Sequence, residues 1–203
     1  VVLFQFRLNL PAKNKMARPY FSMYWDEEIP RVTVSDQNGK KTELVLFAGE
    51  HPGARGVKPP PDSWAANPAS DLKILTLQME AGAEWTLPAA PAGVNRVLYF
   101  FEGDTLKAAD REIAVKHAAL LAPEQDVILR AGEKACELLL LQGRPIGEPV
   151  AQYGPFVMNT EQEIHQAFED YKRTQFGGWP WPDDAPVHER AQGRFARHSD
   201  GRT

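Results

Sequence analysis

Arg96-Val97-Leu98-Tyr99-Phe100-Phe101-Glu102-Gly103 is the stretch whose reading decides the fold. Its β-branched and aromatic residues favour extended backbone, and Glu102-Gly103-Asp104 ends it in a turn. The same pattern recurs on both sides. Leu72, Ile74, Leu75, Leu77 and Met79 mark a strand upstream. Glu112–Val115, Ala118–Leu121, Asp126–Leu129 and Glu137–Leu141 read as four more downstream. Gly82, Gly93, Gly103, Pro123 and Gly132 punctuate the series. Short strands spaced by about 8–12 residues indicate an antiparallel sandwich or barrel. No Gly-rich phosphate loop and no strand–helix alternation occur, which argues against a nucleotide-binding α/β fold.

Moving outward, residues 31–48 read as a hairpin. Arg31–Ser35 and Thr42–Ala48 are rich in strand formers, and Asp36-Gln37-Asn38-Gly39 between them carries turn chemistry. Residues 49–70 form a Gly/Pro-rich loop containing Pro59-Pro60-Pro61, with Trp64 as a packing anchor. A loop this long in a compact domain is functional or wraps a surface. Near the start, Val2–Leu8 alternates as a strand, with Phe4, Phe6 and Leu8 on one side. Unpaired, it would be an apolar edge open to association. Towards the other end, Thr160 and Glu163 form a capping box for a helix running to about Gln175. Ile164, Ala167, Phe168 and Tyr171 line its apolar face, and Gly177-Gly178 is the expected stop. Residues 179–203 lack periodicity and read as a flexible tail.

The 203 residues are 43% hydrophobic and 25% charged, an ordinary globular composition. The net charge of −4 offers no basic face for nucleic acid, and no apolar run reaches membrane-spanning length. Lys13, Lys15 and Arg18 read as a solvated loop. The single Cys136 cannot form an intrachain disulfide, which fits a reducing, cytoplasmic location. Inside an apolar run it reads as a packing residue rather than a nucleophile. His51, His117, His165, His188 and His198 show neither His-x-His nor His-x-x-x-His spacing, so each reads as an ordinary histidine. Glu102 and Asp104 read as turn residues. No Gly-x-Ser-x-Gly elbow is present.

Three stretches resemble the pirin family. The first is Leu8-Asn9-Leu10-Pro11-Ala12-Lys13-Asn14-Lys15-Met16, and the second is Leu138-Leu139-Leu140-Leu141-Gln142-Gly143-Arg144-Pro145-Ile146-Gly147-Glu148-Pro149-Val150. The third is Gln152-Tyr153-Gly154-Pro155-Phe156-Val157-Met158-Asn159-Thr160. The resemblance covers about residues 3–178. It implies an all-β fold: a cupin (RmlC-like jelly roll) β-barrel domain with an appended C-terminal α-helix, plus the end of a preceding cupin domain. Residues 1–30 would be the tail of that preceding domain and a linker. Residues 31–150 would be the C-terminal cupin domain, and 151–178 a family-specific segment with the helix.

Pirins are two-barrel proteins with iron in the first barrel, held by three histidines and a glutamate. The resemblance places those ligands upstream of Val1. The expectation for this chain is therefore no catalytic, cofactor-binding or metal-binding residue. The second barrel can be compared with the cupin pattern itself, His-x-His-x-x-x-x-Glu ahead of Tyr-x-x-Glu-Gly. Tyr99-Phe100-Phe101-Glu102-Gly103 resembles its end, which puts Arg96 at the glutamate and Ala89 and Pro91 at the histidines. The later motif, Pro-x-Gly-x-x-His, falls at Pro123, Gln125 and Ile128. None of the four ligand positions carries a metal donor, since a guanidinium does not deprotonate in a protein.

Among relatives, the resemblance implies two activities for an intact protein. One is a quercetin 2,3-dioxygenase type of oxygenase, using iron and dioxygen on a flavonol-type small aromatic substrate. The other is a metal- or redox-dependent regulatory module that binds a protein partner, as transcription cofactors do. Neither implies direct nucleic-acid or membrane binding.

Overall fold

The computed structural model describes residues 3–185 and 187–197. Val2 and His198 lie outside them. The chain divides into two compact units, Val1–Gly147 and Glu148–Thr203.

In the first unit, β1 (Arg31–Ser35), β2 (Lys41–Ala48), β5 (Lys73–Met79), β7 (Asn95–Glu102), β10 (His117–Leu120) and β12 (Cys136–Gly143) form a six-stranded antiparallel sheet in the order β1-β2-β5-β12-β7-β10. A second sheet is ordered β6 (Glu84–Leu87), β11 (Val127–Ala131), β8 (Thr105–Ala108), β9 (Arg111–Ala114). The tiny hairpin β3 (Glu50–His51) and β4 (Ala54–Arg55) stands apart in the long loop. The inner faces of both large sheets supply one core: Leu44, Leu46, Leu75, Leu77, Leu98, Phe100, Leu138 and Leu140 from one, Trp85, Leu87, Leu106 and Leu129 from the other.

Period-2 patterning explains most of this. In β2, Thr42, Leu44, Leu46 and Ala48 point inward, and β7 does the same with Arg96, Leu98 and Phe100. β12 sits between β5 and β7, and its run Leu138-Leu139-Leu140 is buried on both faces. That is why this strand reads as continuous rather than alternating. The turn at Gly103 is tied to the core: its φ is +136°, and a Cβ there would lie 2.8 Å from the Phe100 ring and 2.9 Å from Cys136 Sγ.

The expected hairpin 31–48 forms, with Asp36 at its turn. The expected strand at the start does not. Leu3–Leu8 pairs with no strand among the described residues, and Phe4 instead meets Phe101 edge-on at 5.1 Å. Alternation sets which faces a segment presents, but a strand exists only where a neighbour takes its backbone hydrogen bonds. The following segment docks on the long loop, with Asn14 Nδ2 donating to the Asp62 carbonyl at 2.8 Å and Tyr24 Oη to the Lys58 carbonyl at 2.7 Å.

The second unit holds the hairpin β13 (Ala151–Tyr153) and β14 (Phe156–Met158), then helix α1 (Glu161–Thr174). The capping box is present: Glu163 N donates to Thr160 Oγ1, and Thr160 N to Glu163 Oε2. Ile164 is buried, and Phe168 packs edge-on against Phe156 at 4.8 Å and Tyr153 at 5.6 Å. The helix ends at Thr174 with Gln175 as its cap, as expected from the sequence. Gln175 and Phe176 take left-handed backbone at φ 50° and 49°, ahead of Gly177. Phe176 then reaches the aromatic cluster through Phe156 and Tyr171, a contact available only if the turn comes first.

Candidate functional site

The four positions matched to the cupin ligands do not share one environment. Arg96 lies inward on β7 with 2% of its surface exposed. Ala89 and Pro91 lie in the exposed connection before it, and Ile128 is half-buried on β11. Hydrogen bonds hold that connection: Ala90 N donates to the Pro123 carbonyl at 2.7 Å and Ala89 N to Asp126 Oδ1 at 2.7 Å.

The position matched to the cupin glutamate holds a buried guanidinium. Arg96 Nε donates to Gln142 Oε1 at 3.0 Å, and Nη2 to the Pro88 carbonyl at 2.7 Å. Gln142, itself 4% exposed on β12, passes the connection on: its Nε2 donates to the Asp71 carbonyl at 3.2 Å and to Asp71 Oδ2 at 3.1 Å. Burial pulls the Arg96 pKa below its ordinary value, and the carboxylates of Asp71 and Asp126 oppose that pull. Nη1 has no hydrogen-bond partner among the described residues.

These residues do not fit a metal. A buried cation repels a second one, and the side chains of Ala89, Pro91 and Ile128 carry no donor atom. Among the described residues no three His, Cys, Asp or Glu side chains come together. His51 lies 6.2 Å from the Trp85 ring, and its Nδ1 is 2.9 Å from the Pro52 carbonyl. The Nδ1 of exposed His117 lies 3.1 Å from the Val115 carbonyl. His165 and His188 are exposed.

Cys136 is fully buried, with Sγ 3.4 Å from the Thr105 carbonyl, and burial raises its pKa away from thiolate chemistry. Asp104 organises the turn. Burial works to raise its pKa, but the backbone N–H groups of Thr105 and Lys134 outweigh that and hold it low. Asp36 is held low first by the Glu84 N–H, then by those of Lys40 and Asn38. Sequence reasoning missed Gln142, Asp71 and Asp126 as partners of Arg96. The available signal was a glutamine at an inward position, directly after four leucines.

Two antiparallel sheets packed face to face around one core are the architecture of a cupin. Residues 74–177 match the Pirin C-terminal cupin domain. The chain belongs to the pirin family. It is 34% identical over 171 residues to a Pseudomonas aeruginosa protein provisionally named a quercetin 2,3-dioxygenase, covering 83% of this chain and 57% of that one. Pirin-1 of Arabidopsis thaliana is 31% identical over 175 residues, covering 85% and 57%. The crystal structure of quercetin 2,3-dioxygenase from Acinetobacter baumannii superposes with a TM-score of 0.69 at 30% identity, covering 83% of this chain and 55% of that one. The chain thus spans little more than half the length of the relatives it matches.

Proposed function

We propose that this chain is the second-barrel part of a two-barrel pirin-like protein, and that its own barrel is structural. Residues 1–30 belong, on this reading, to the tail of the preceding cupin, and 31–150 to the metal-free one. The observation that carries it is the buried Arg96 guanidinium at a cupin metal-ligand position, bonded to Gln142 and the Pro88 carbonyl. The intact protein would hold one iron in its other barrel and act as a quercetin 2,3-dioxygenase-type oxygenase, cleaving a flavonol with dioxygen. The names of the relatives support that activity class. Other relatives carry the name pirin, which supports the regulatory reading, a metal- or redox-dependent module binding a protein partner. A buried, unpaired Cys136 accords with a cytoplasmic setting.

Oxygen uptake with flavonol loss, measured on the intact protein and on residues 1–203 alone, tests the assignment. The oxygenase reading expects turnover by the intact protein only. No turnover by either would favour the regulatory reading, and turnover by residues 1–203 would overturn the structural role of this barrel. Metal analysis of residues 1–203 is expected to find no tightly held iron. Stoichiometric, chelator-resistant iron that is lost in His51→Ala or His117→Ala would sink the same idea.

A further inference from the structure

The barrel interior is filled, but open space lies beside it. A cavity of about 690 Å³ sits between the end of β2 and the long loop, lined within residues 48–73. That volume is within the roughly 300–1,000 Å³ typical of small-molecule sites. Its lining includes the apolar residues Ala48, Val57, Pro59 and Leu72 beside polar ones such as Asn67 and Ser70. Gly49 brings the end of β2 close against residues 72–73: its φ is +91°, and a Cβ would lie 2.5 Å from the Leu72 carbonyl oxygen.

Five charged side chains line the cavity, and their partners decide its sign. Arg55 Nε lies 3.1 Å from Glu50 Oε1, so this pair cancels. Asp71 also lines the cavity, but its carboxylate receives Gln142 Nε2 and is attracted by the buried Arg96 cation behind it. Lys58 and Lys73 remain. Neither has an ion-pair partner among the described residues. Two lysines without an ionic partner among the described residues thus line a cavity of mixed polar and apolar wall, in a chain whose net charge is −4. A positively charged concave surface concentrates anions.

We propose that this cavity is a binding site for small organic anions, with Lys58 and Lys73 as the anion-recognising residues and the apolar part of its wall holding a compact hydrophobic body. An aromatic monocarboxylate has this chemistry. The site includes none of the four positions matched to the cupin ligands and does not depend on the oxygenase reading.

The test uses residues 1–203 and three probes of matched size: benzoate, benzyl alcohol and benzamidine. Amide chemical shifts are followed through the titrations. Benzoate is expected to give saturable shifts confined to residues 48–73, benzyl alcohol weaker ones, and benzamidine none there. In the Lys58→Gln/Lys73→Gln double variant, benzoate binding should weaken at least about tenfold, the equivalent of roughly 1.4 kcal/mol. Lys107→Gln/Lys134→Gln, at exposed positions outside the lining, should leave it unchanged. Ala66→Trp, which places an indole at the cavity wall, should abolish it in a chain whose other amide shifts stay native. Benzamidine binding as well as benzoate would overturn the proposal. So would benzoate binding that survives the double lysine variant or Ala66→Trp, or benzoate shifts that spread over the chain without saturating.

Discussion

The barrel interior and the cavity beside it are opposite answers to one problem. Inside the barrel, side chains from both sheets fill the space, and the single buried cation is tied to Gln142 and the Pro88 carbonyl. Beside it, the 49–73 loop leaves a cavity whose lysines have no ionic partner among the described residues. The two meet at Asp71, which lines the cavity and accepts from Gln142. A cupin barrel needs its interior either open with ligands or closed with packing. Here the interior is lined by packed apolar side chains, and the cavity described lies outside it.

The largest expected effect tests the closed side. Phe100→Ala removes a fully buried ring and should cost about 3–5 kcal/mol in a urea melt. A much smaller loss would mean that the barrel can collapse around the gap, and the contrast with the cavity would weaken. Arg96 is the sharper test. Arg96→Ala leaves Gln142 Oε1 and the Pro88 carbonyl without their donor, and should cost about 2–4 kcal/mol. Arg96→Met should cost less, because it keeps the packing volume and removes an unpaired buried N–H. If methionine were the worse replacement, the hydrogen bonds of the guanidinium would outweigh its desolvation.

A smaller effect separates the barrel from the second unit. Thr160→Ala removes the helix cap and should cost about 1 kcal/mol. Phe168→Ala should cost more than that, since the ring meets both Phe156 and Tyr153. Equal, small losses from the two would mean that the helix owes little to its aromatic cluster.

The smallest effect is in pH. Asp36 and Asp104 have folded-state pKa values below their ordinary ones. The unfolded chain therefore takes up protons first, so their contribution is complete above the ordinary carboxylate value of about 3.9 and fades as pH falls through the lower folded values. Urea midpoints should fall on acidification below about pH 4. Asp104→Asn should flatten that fall without altering stability's response to pH near neutrality. An unchanged acid slope in the variant would show that the N–H groups of Thr105 and Lys134 contribute nothing through charge.

Legibility followed periodicity. The strands at 73–79, 95–102 and 136–143 show in the sequence because their inward positions are apolar over several residues. Glu84–Leu87 and Thr105–Ala108 do not, although the equally short strands at 111–114 and 117–120 do, so length alone does not decide it. The helix start was legible through Thr160 and Glu163, since a cap is a local hydrogen-bond pattern. Its end was legible to within a residue, about Gln175 against an observed last residue of Thr174 with Gln175 as the cap.

By itself, the sequence determined the all-β series of strands, the capped helix, the family and the absence of donors at Ala89, Pro91, Arg96 and Ile128. All of these rest on residue type and short spacing. Only the tertiary structure decided that Leu3–Leu8 forms no strand, that Arg96 is buried and bonded to Gln142, and that Lys58 and Lys73 share a cavity wall. The reason is that a backbone needs a partner, a buried charge needs donors and acceptors brought from elsewhere, and a cavity exists only between segments. Arg96 and Gln142 are 46 residues apart, and Gln142 and Asp71 are 71 apart. No local pattern reaches that far.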